Sequence, residues 1–280
     1  MVHTGYSGFT MEVRRMDVLG WPDVPRLIAE AGPNRSVSVA AMRLSDGRRW
    51  EVSGERSTVA ASTIKIPVLI ALMRAVDDGR VNLNNWVVAR SEDRVEGTGV
   101  LHAMSPDTPL TIADYAYLMI AVSDNTASNV LIDIASVPLV RQVVQDLGLH
   151  QTRLERRFLG RMPTPDEGQN WTSADDLVQT LAAIWGDTAA SPNACAEMRR
   201  LLGLQQDRQM IPRGMPTGAF FAGKSGSLPG LAHDCGVVTG PCDSVALAIL
   251  TEGFADPHEA FRLGMQISAA ICAEAGIAGC

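Results

Sequence analysis

The sequence predicts an α/β fold in which both ends of the chain form one antiparallel sheet with flanking helices, and an all-helical lobe is inserted between them. Three observations support it: strand-like apolar runs near the start, a helical period through the middle, and strand-like runs again after residue 215. Strands early and late with helices between them favour a single sheet. We expect an α/β lobe from residues 1–56 and 204–280 and a helical lobe from 57–203.

The first strands are predicted to form a hairpin after a short helix. From Arg35, two apolar runs rich in Val are joined by a turn at residues 45–47, Ser-Asp-Gly. An amphipathic segment from Val24 to Ala31 precedes them and ends at Gly-Pro, a combination typical of a helix stop. Two strands need partners to bury their faces, so we expect these to come from elsewhere in the chain.

Apolar residues at spacings of three and four predict helices in the middle block. The segments are IPVLIALMRAVDDG, IADYAYLMIAVS, NTASNVLIDIA, PLVRQVVQDLG and DDLVQTLAAIWG. A connection from about Arg153 to Thr172 has little periodicity, and loops of this length are often functional. Strands are predicted again in GAFFAGKSG, HDCGVVTG and SVALAILTEG, before a last helix from about Pro257 to Gly276.

Charge and composition exclude several classes of partner. The 280 residues include 24 basic and 31 acidic side chains, a net charge of −7, which argues against binding to nucleic acid or to anionic membranes. No apolar run reaches the ~18 residues that a membrane-spanning helix requires. The opening residues lack the apolar segment of an export signal, so we expect a cytoplasmic protein or a trimmed secreted form.

Lysine is almost absent from the chain. Of the 24 basic residues, 22 are arginine, and the two lysines are Lys65 and Lys224. Arginine cannot lose its proton in a protein, whereas the pKa of a lysine amine shifts readily. A site that requires an amine would keep lysine under such a bias, so both lysines are candidates for a functional role.

Cysteine and histidine do not indicate a metal site. The five cysteines are an odd number without metal-ligand spacing, and we expect them to be reduced or incidental. They are Cys195, Cys235, Cys242, Cys272 and Cys280. No two histidines stand at ligand spacing with an acidic partner, so we expect neither a metal nor another cofactor.

Ser62 and Lys65 form the first candidate pair, in Ser-Thr-Ile-Lys, where an extended segment gives way to a helix. Three residues of helix place both side chains on one face, so the hydroxyl and the amine can come within hydrogen-bonding reach. A neighbouring lysine can then accept the proton of a serine nucleophile. By itself the pattern is also typical of a helix cap.

Two further polar segments follow. Ser123-Asp124-Asn125 lies between two apolar helices, where such residues commonly form a turn and an N-cap. Lys224-Ser225-Gly226-Ser227 ends an apolar strand. A lysine there could hold an anionic group of a substrate, and glycine would let the ligand approach the backbone.

Together the segments S-x-x-K, S-D-N and K-S-G resemble the motif set of the class A β-lactamases and penicillin-binding proteins. The three occur in the order of that family, about 60 and 100 residues apart, and they contain both lysines of the chain. The resemblance extends from the hairpin at Arg35 to the last helix, and it implies the same α/β fold.

The resemblance implies a role for each matching residue. Ser62 corresponds to the acylated nucleophile and Lys65 to its proton acceptor. Ser123 corresponds to the hydroxyl that passes a proton to the leaving nitrogen, and Asn125 to the amide that binds the acylamino side chain of the substrate. The backbone N–H groups of Ser62 and Ser227 would form the oxyanion hole.

The second lysine motif implies a substrate that bears a carboxylate. Lys224 corresponds to the strand lysine that supports Ser123 and attracts this carboxylate, and Ser225 to its hydrogen-bond donor. Gly226 and Ser227 complete the substrate-binding segment. We expect a monomer that binds a small molecule.

The chain departs from the family in the long loop. Class A enzymes have Glu two residues after Arg, in the pattern R-W-E-x-x-L-N, and this Glu activates the water that hydrolyses the acyl-enzyme. Here Phe158 stands two residues after Arg156, so the base is missing in register. Glu155, Asp166 or Glu167 could replace it if the loop folds differently; otherwise they are solvated loop charges.

Four other polar residues near the motifs are expected to be structural. Arg156 and Asn170 would tie the loop, although Asn lacks the charge of the family's Asp, and Asp124 would hold its turn. His233 is expected to be a partly exposed imidazole at a strand start; alternatively, it lines the cleft beside Lys224.

The resemblance implies a serine acyl-enzyme hydrolase that cleaves a β-lactam or a related amide or ester through Ser62. Two alternatives stay open. One is a D,D-peptidase-like, esterase-like or biosynthetic acyl-transfer enzyme with slow β-lactam turnover, favoured by the missing Glu. The other is a sensor that is acylated by a β-lactam and signals by staying so.

Overall fold

The computed structural model describes residues 23–277. In chain order its elements are α1 (Asp23–Glu30), β1 (Ser36–Arg43), β2 (Arg49–Val52), β3 (Thr58–Val59), α2 (Lys65–Asp77), β4 (Trp86–Val88), β5 (Pro109–Thr111), α3 (Ile112–Ala121), α4 (Asn125–Ala135), α5 (Val137–Asp146), β6 (Trp171–Thr172), α6 (Ala174–Trp185), α7 (Pro192–Leu202), α8 (Ile211–Gly214), β7 (Phe220–Leu228), β8 (Leu231–Thr239), β9 (Ser244–Glu252) and α9 (Pro257–Glu274).

The main sheet joins the two ends of the chain, as the sequence predicts. Its five strands are antiparallel and lie in the order β2-β1-β9-β8-β7. β1 pairs with β9 over its whole length, from Ser36 opposite Glu252 to Arg43 opposite Val245. The predicted α/β fold is therefore confirmed, and β7, which carries the second lysine, forms one edge of this sheet.

Both faces of the sheet are buried, because helices cover each of them. On one face, Val39 and Ile249 pack with Ile267 of α9. On the other face, Ala40 and Ala248 belong to the cluster that includes α2, α4 and α6. Burial on both faces explains why the strands of the late chain have nearly continuous apolar sequences rather than alternating ones.

α2 passes through the centre of the helical core. Its residues from Lys65 to Met73 are all buried, so it lacks the polar face of a surface helix. This helix packs against α4, α5 and α7. It is a rigid support for the residues at its N-terminal end, where Ser62 and Lys65 lie.

The predicted helices and strands are present with small shifts of their ends, and some elements were not predicted. α7 (Pro192–Leu202) and the short pairs β3–β6 and β4–β5 are additional. The proposed division into lobes at 56/57 and 203/204 stays a prediction. Within residues 23–277 no single helix is long and apolar enough to span a membrane; α4 and α5 satisfy that criterion only as a pair bent by 81°.

The cysteines differ in environment, and one expectation about them was wrong. Cys195, Cys235 and Cys272 are free thiols buried in apolar surroundings. Cys242, in the exposed turn between β8 and β9, is disulfide-bonded. The expected reduced state therefore holds for the three buried cysteines and not for Cys242. Cys280 lies outside the described residues.

Candidate active site

A cleft of about 680 Å³ lies between β7, the turn before α2, the start of α4 and the long loop. Seven of the eight candidate residues line it, and the eighth, Lys65, is completely buried beside it. The seven are Ser62, Ser123, Asn125, Lys224, Ser225, Gly226 and Ser227. The fold therefore brings together three motifs that are far apart in the sequence.

Ser62 lies in a turn of 3-10 helix, Ala61–Ile64, directly before α2. The predicted change from extended to helical backbone therefore begins here with a 3-10 turn, and the α-helix starts at Lys65. Ala61 has a φ of +46°, a strained conformation for a residue with a side chain, and such residues are common at active sites. The Ser62 hydroxyl faces the cleft and makes no hydrogen bond with any residue in 23–277.

Gly226 lets β7 approach the turn that carries Ser62. A Cβ atom at residue 226 would lie 2.9 Å from the backbone nitrogen of Ser62 and 3.2 Å from that of Thr63. Every other residue type would therefore push the strand away. This contact brings the Ser62 N–H close to the strand segment that carries Ser227, as an oxyanion hole formed by these two residues requires.

Lys65 donates three hydrogen bonds, and none of them goes to Ser62. Its Nζ is 2.7 Å from the carbonyl oxygen of Ser123, 3.0 Å from the Ser123 hydroxyl and 3.0 Å from Oδ1 of Asn125. Burial, together with the charge of Lys224, holds the pKa of Lys65 well below its usual range. The expected direct contact with Ser62 is thus replaced by a link between the first two motifs.

The Ser-Asp-Asn segment is shaped by its middle residue. Asp124 caps α4 by accepting from the Ala127 N–H, and its other oxygen accepts from the N–H groups of Val100 and Leu101. Asp124 therefore has the structural role that we expected. Ser123, held next to it, has a φ of +56°, which turns its hydroxyl and its carbonyl towards Lys65.

Lys224 is buried on β7, with its Nζ 2.8 Å from the carbonyl oxygen of Ser225. Burial lowers its pKa to about 8, so the amine is mostly protonated at neutral pH. The adjacent Ser225 N–H is bonded to Oε1 of buried Gln205, whose amide also donates to the Asp207 carbonyl. Gln205 thereby fixes the end of the strand at the cleft.

Phe158 occupies the position above Lys65. The centre of its ring is 4.3 Å from Nζ of Lys65. The backbone of Phe158 is held by Asn129 of α4, whose Oδ1 accepts from its N–H at 2.8 Å and whose Nδ2 donates to its carbonyl at 3.0 Å. Phe158 is the residue in register with the glutamate of the class A family, so an apolar ring takes the place of that carboxylate here.

The long loop is tied by Asn170. Its Oδ1 accepts from the N–H groups of Glu155 and Arg156, and its Nδ2 donates to the Arg156 carbonyl. The Arg156 guanidinium binds Gln169 rather than Asn170. A neutral amide can thus pin the loop because its partners are backbone groups, which need no charge.

The three acidic side chains of the loop do not line the cleft. Glu167 makes a two-point ion pair with Arg161, and this lowers the pKa of Glu167 to about 2. Glu155 accepts from the Gln169 N–H, and Asp166 is exposed. None of the three is placed to act on a water beside Ser62.

His233 was expected to be partly exposed, and this was wrong. It is buried, its Nε2 pairs with the carbonyl of Val59, and its Nδ1 accepts from the Thr251 N–H. Both ring nitrogens are therefore used to join β8 to its neighbours, and burial lowers the pKa of His233. It does not line the cleft beside Lys224.

Two residues that sequence reasoning missed support the site. Asn129 and Gln205 are buried amides that position the loop and the strand, respectively. The available signal for Asn129 was its place one helical turn after Asn125, which puts both amides on the same face of α4. In residues 23–277 no group of three His, Cys, Asp or Glu side chains could hold a metal ion.

Comparison with known proteins gives consistent matches over most of the chain. The sequence model of a β-lactamase enzyme family matches residues 23–275. The β-lactamase CARB-3 of Pseudomonas aeruginosa is 25% identical over 205 residues, 71% of this chain and 69% of that protein.

Solved structures agree with these sequence matches. A β-lactamase from Sphaerobacter thermophilus is 34% identical and superposes with a TM-score of 0.88, covering 92% of this chain and 98% of that one. PBP-A is 29% identical, with a TM-score of 0.81 and coverage of 90% and 93%. A leucine-to-glutamate variant of PBP-A has been solved as an acyl-enzyme complex with penicillin G.

Proposed function

The chain belongs to the β-lactamase enzyme family, and from this premise we propose that it is a serine acyl-enzyme whose Ser62 is acylated rapidly by β-lactams and freed slowly by water. Family membership supports a serine hydrolase in general. The finer proposal, that acylation and deacylation differ greatly in rate, rests on the residues around Lys65.

The groups proposed for acylation lie in the cleft, apart from Lys65, which is buried beside it. We propose that the Ser62 hydroxyl attacks the carbonyl carbon while Lys65, in its neutral form, takes the proton. The Ser62 and Ser227 N–H groups would stabilise the oxyanion that forms. As the tetrahedral intermediate collapses, Ser123 would pass its proton to the leaving nitrogen and recover one from Lys65, to which it is hydrogen-bonded at 3.0 Å.

Positive charge in the cleft supports a substrate that carries a carboxylate. Lys224, Arg156 and Arg161 line it, and Asp207 is the one acidic residue among its described lining residues. Next to Lys224, the hydroxyl of Ser225 can donate a hydrogen bond to a bound carboxylate. We therefore place the substrate carboxylate at this end and its acyl side chain towards Asn125.

The observation that carries the proposal is the apolar ring of Phe158 over Lys65, 4.3 Å from its Nζ. Hydrolysis of the ester at Ser62 requires a base that activates water, and no carboxylate of the long loop lines the cleft. Without general-base help a step slows by about 10² to 10⁴-fold, equivalent to about 3 to 6 kcal/mol. The proposed site therefore lacks a base for deacylation by water.

The same observation favours a second candidate, acyl transfer to an amine or alcohol. The nitrogen or oxygen of such an acceptor is itself the nucleophile. Its attack on the ester is the reverse of acylation, so Ser123 and Lys65 could remove its proton. This enzyme would be D,D-peptidase-like or esterase-like, and a β-lactam would trap it. A sensor that is acylated permanently would show the same trapping without turnover of any ester.

A chromogenic cephalosporin tests the proposal. We expect a burst of about one equivalent of product, followed by slow steady-state hydrolysis. Turnover of a small depsipeptide ester, accelerated by an added amine, would favour the transferase over the sensor. Rapid steady-state hydrolysis of the cephalosporin without a burst would overturn slow deacylation, and absence of any product would overturn acylation itself.

A further inference from the structure

The side-chain nitrogen of Lys65 is enclosed by hydrogen-bond partners and an aromatic ring. Its Nζ makes three hydrogen bonds, two with Ser123 and one with Asn125, and the face of the Phe158 ring lies 4.3 Å from Nζ. The ring face suits a protonated amine, because it attracts a cation. The Ser123 hydroxyl can accept from a protonated amine or donate to the lone pair of a neutral one, so the ring is the contact that distinguishes the two forms. No acceptor from Ser62 takes part.

We propose that Phe158 is a positioning residue for Lys65: its ring face holds the resting amine in the protonated form against Ser123 and Asn125, so that acylation of Ser62 begins only after this amine loses a proton. The inference rests on the proposed function, because it concerns the amine that is proposed to activate Ser62. It adds a residue of the long loop to the control of acylation.

The ring is held in place by contacts other than the one with Lys65. Asn129 fixes both backbone groups of Phe158, and its Nδ2 also donates to the carbonyl of buried Asp93. Arg157, the preceding residue, forms an ion pair with the Asp93 carboxylate. Because these contacts set the backbone on both sides of the side chain, the position of the ring is built into the fold.

Charges from each neighbouring element act on the same amine. On β7, Lys224 disfavours the protonated form of Lys65, as does burial, whereas Asp124 before α4 favours it. The long loop adds Phe158 and the cations Arg156 and Arg161 at the cleft wall. Apart from Asp124, the favourable contacts are therefore the three hydrogen bonds and the ring, and the ring is the one that can be removed without touching a motif residue.

Removal of the ring face should make Lys65 easier to deprotonate. A cation–π contact corresponds to a change in the pKa of the amine of about half a unit at an exposed site and about one and a half units at a desolvated one. In Phe158→Leu, which keeps an apolar side chain, we expect the pKa of Lys65 to fall by this amount. The acidic limb of the acylation rate against pH should move to lower pH by the same interval.

The chain allows a direct measurement because it contains only two lysines. Protein labelled with ¹³C-lysine gives Cε signals from Lys65 and Lys224 alone, and a pH titration followed by NMR reports each amine separately. Lys65→Gln assigns the signals. Phe158→Tyr is the matched control, since it keeps an aromatic face, and Lys224 is an internal control in every variant.

We expect the Lys65 titration to shift downwards in Phe158→Leu and to stay within about 0.3 unit of the parent in Phe158→Tyr, with Lys224 unmoved in both. Equal Lys65 titrations in parent and Phe158→Leu, or a Lys65 signal that keeps one protonation state in both proteins, would overturn the inference. A residue that only packs would change stability without this shift. The measurement needs no substrate, so failure of acylation would count separately, against the proposed function.

Discussion

The amide of Asn129 binds both backbone polar groups of Phe158, with its Oδ1 2.8 Å from the Phe158 nitrogen and its Nδ2 3.0 Å from the Phe158 carbonyl oxygen. α4 thus carries Asn125, which binds Lys65, and one turn later the residue that places a ring over the same lysine. The position of the loop is set by this helix, and several consequences can be measured.

Asn129→Ala should destabilise the protein, because it leaves the backbone groups of Phe158 without partners. Removing one member of a buried hydrogen-bonded set costs about 1 to 3 kcal/mol in the free energy of unfolding. Urea denaturation measures this, with Asn84→Ala on the exposed surface as the control, where a change within about 0.5 kcal/mol is expected. Equal effects of the two substitutions would contradict the role given to Asn129.

The two lysines should respond differently to replacement by arginine. Lys65→Arg exchanges a titratable amine for a permanent cation and should slow acylation by roughly 10²-fold or more, the usual contribution of a positioned base. Lys224→Arg keeps the charge that attracts a carboxylate and should be milder. Stopped-flow acylation by a penicillin compares them, with thermal melts to check folding. The opposite order would show that the roles are reversed.

The motif residues could be predicted from the sequence because their chemistry lies in the residue types themselves. Their contacts could not. Spacing alone placed Lys65 beside Ser62, but the left-handed turn at Ser123 brings other acceptors to the amine. Likewise, comparison of the loop sequence with the class A pattern shows that the glutamate is missing. The place of the Phe158 ring, however, depends on Asn129, which is distant in sequence.

The error at His233 has a similar cause. A polar residue near the start of a strand usually reaches solvent, and no sequence pattern indicates that the carbonyl of Val59 in the short strand β3 pairs with this imidazole. Such long-range burial also escaped prediction at Asp234, a neighbour of His233 on β8. Its Oδ2 accepts from the Ile211 N–H.

Asp234 should make stability depend on pH. Burial raises the pKa of Asp234 to about 7 from an ordinary value near 3.8, so the folded state keeps a proton that the unfolded state releases. Its contribution to stability is therefore full below about pH 4 and is lost as the pH rises through 7. Asp234→Asn should remove this loss, at most about 4 kcal/mol. Thermal melts at pH 4 and pH 8 check it: the gain from Asn should grow with pH, and a constant difference would contradict the assignment.

A carboxylate at residue 158 should supply the missing base. Phe158→Glu places such a group on the long loop, on the side of the cleft that faces the acyl ester of Ser62. Deacylation should then accelerate by about 10² to 10⁴-fold. Phe158→Gln is the control, because it has the same shape without the basic oxygen. The decay of a preformed penicilloyl adduct gives both rates. Equal acceleration in the two variants would mean that loss of the ring, and not gain of a base, had admitted water.

The most direct test of the account follows the protein itself after mixing with benzylpenicillin. Intact-protein mass spectrometry should find one equivalent of the whole ligand attached and persisting for minutes or longer, and peptide mapping should place it on Ser62. This result is expected because the cleft and Lys65 beside it supply the groups proposed for acylation, whereas no carboxylate of the long loop lines the cleft to act as a base for hydrolysis. Prompt multiple turnover without an accumulated adduct, or an adduct on another serine with Ser62 unmodified, would contradict it.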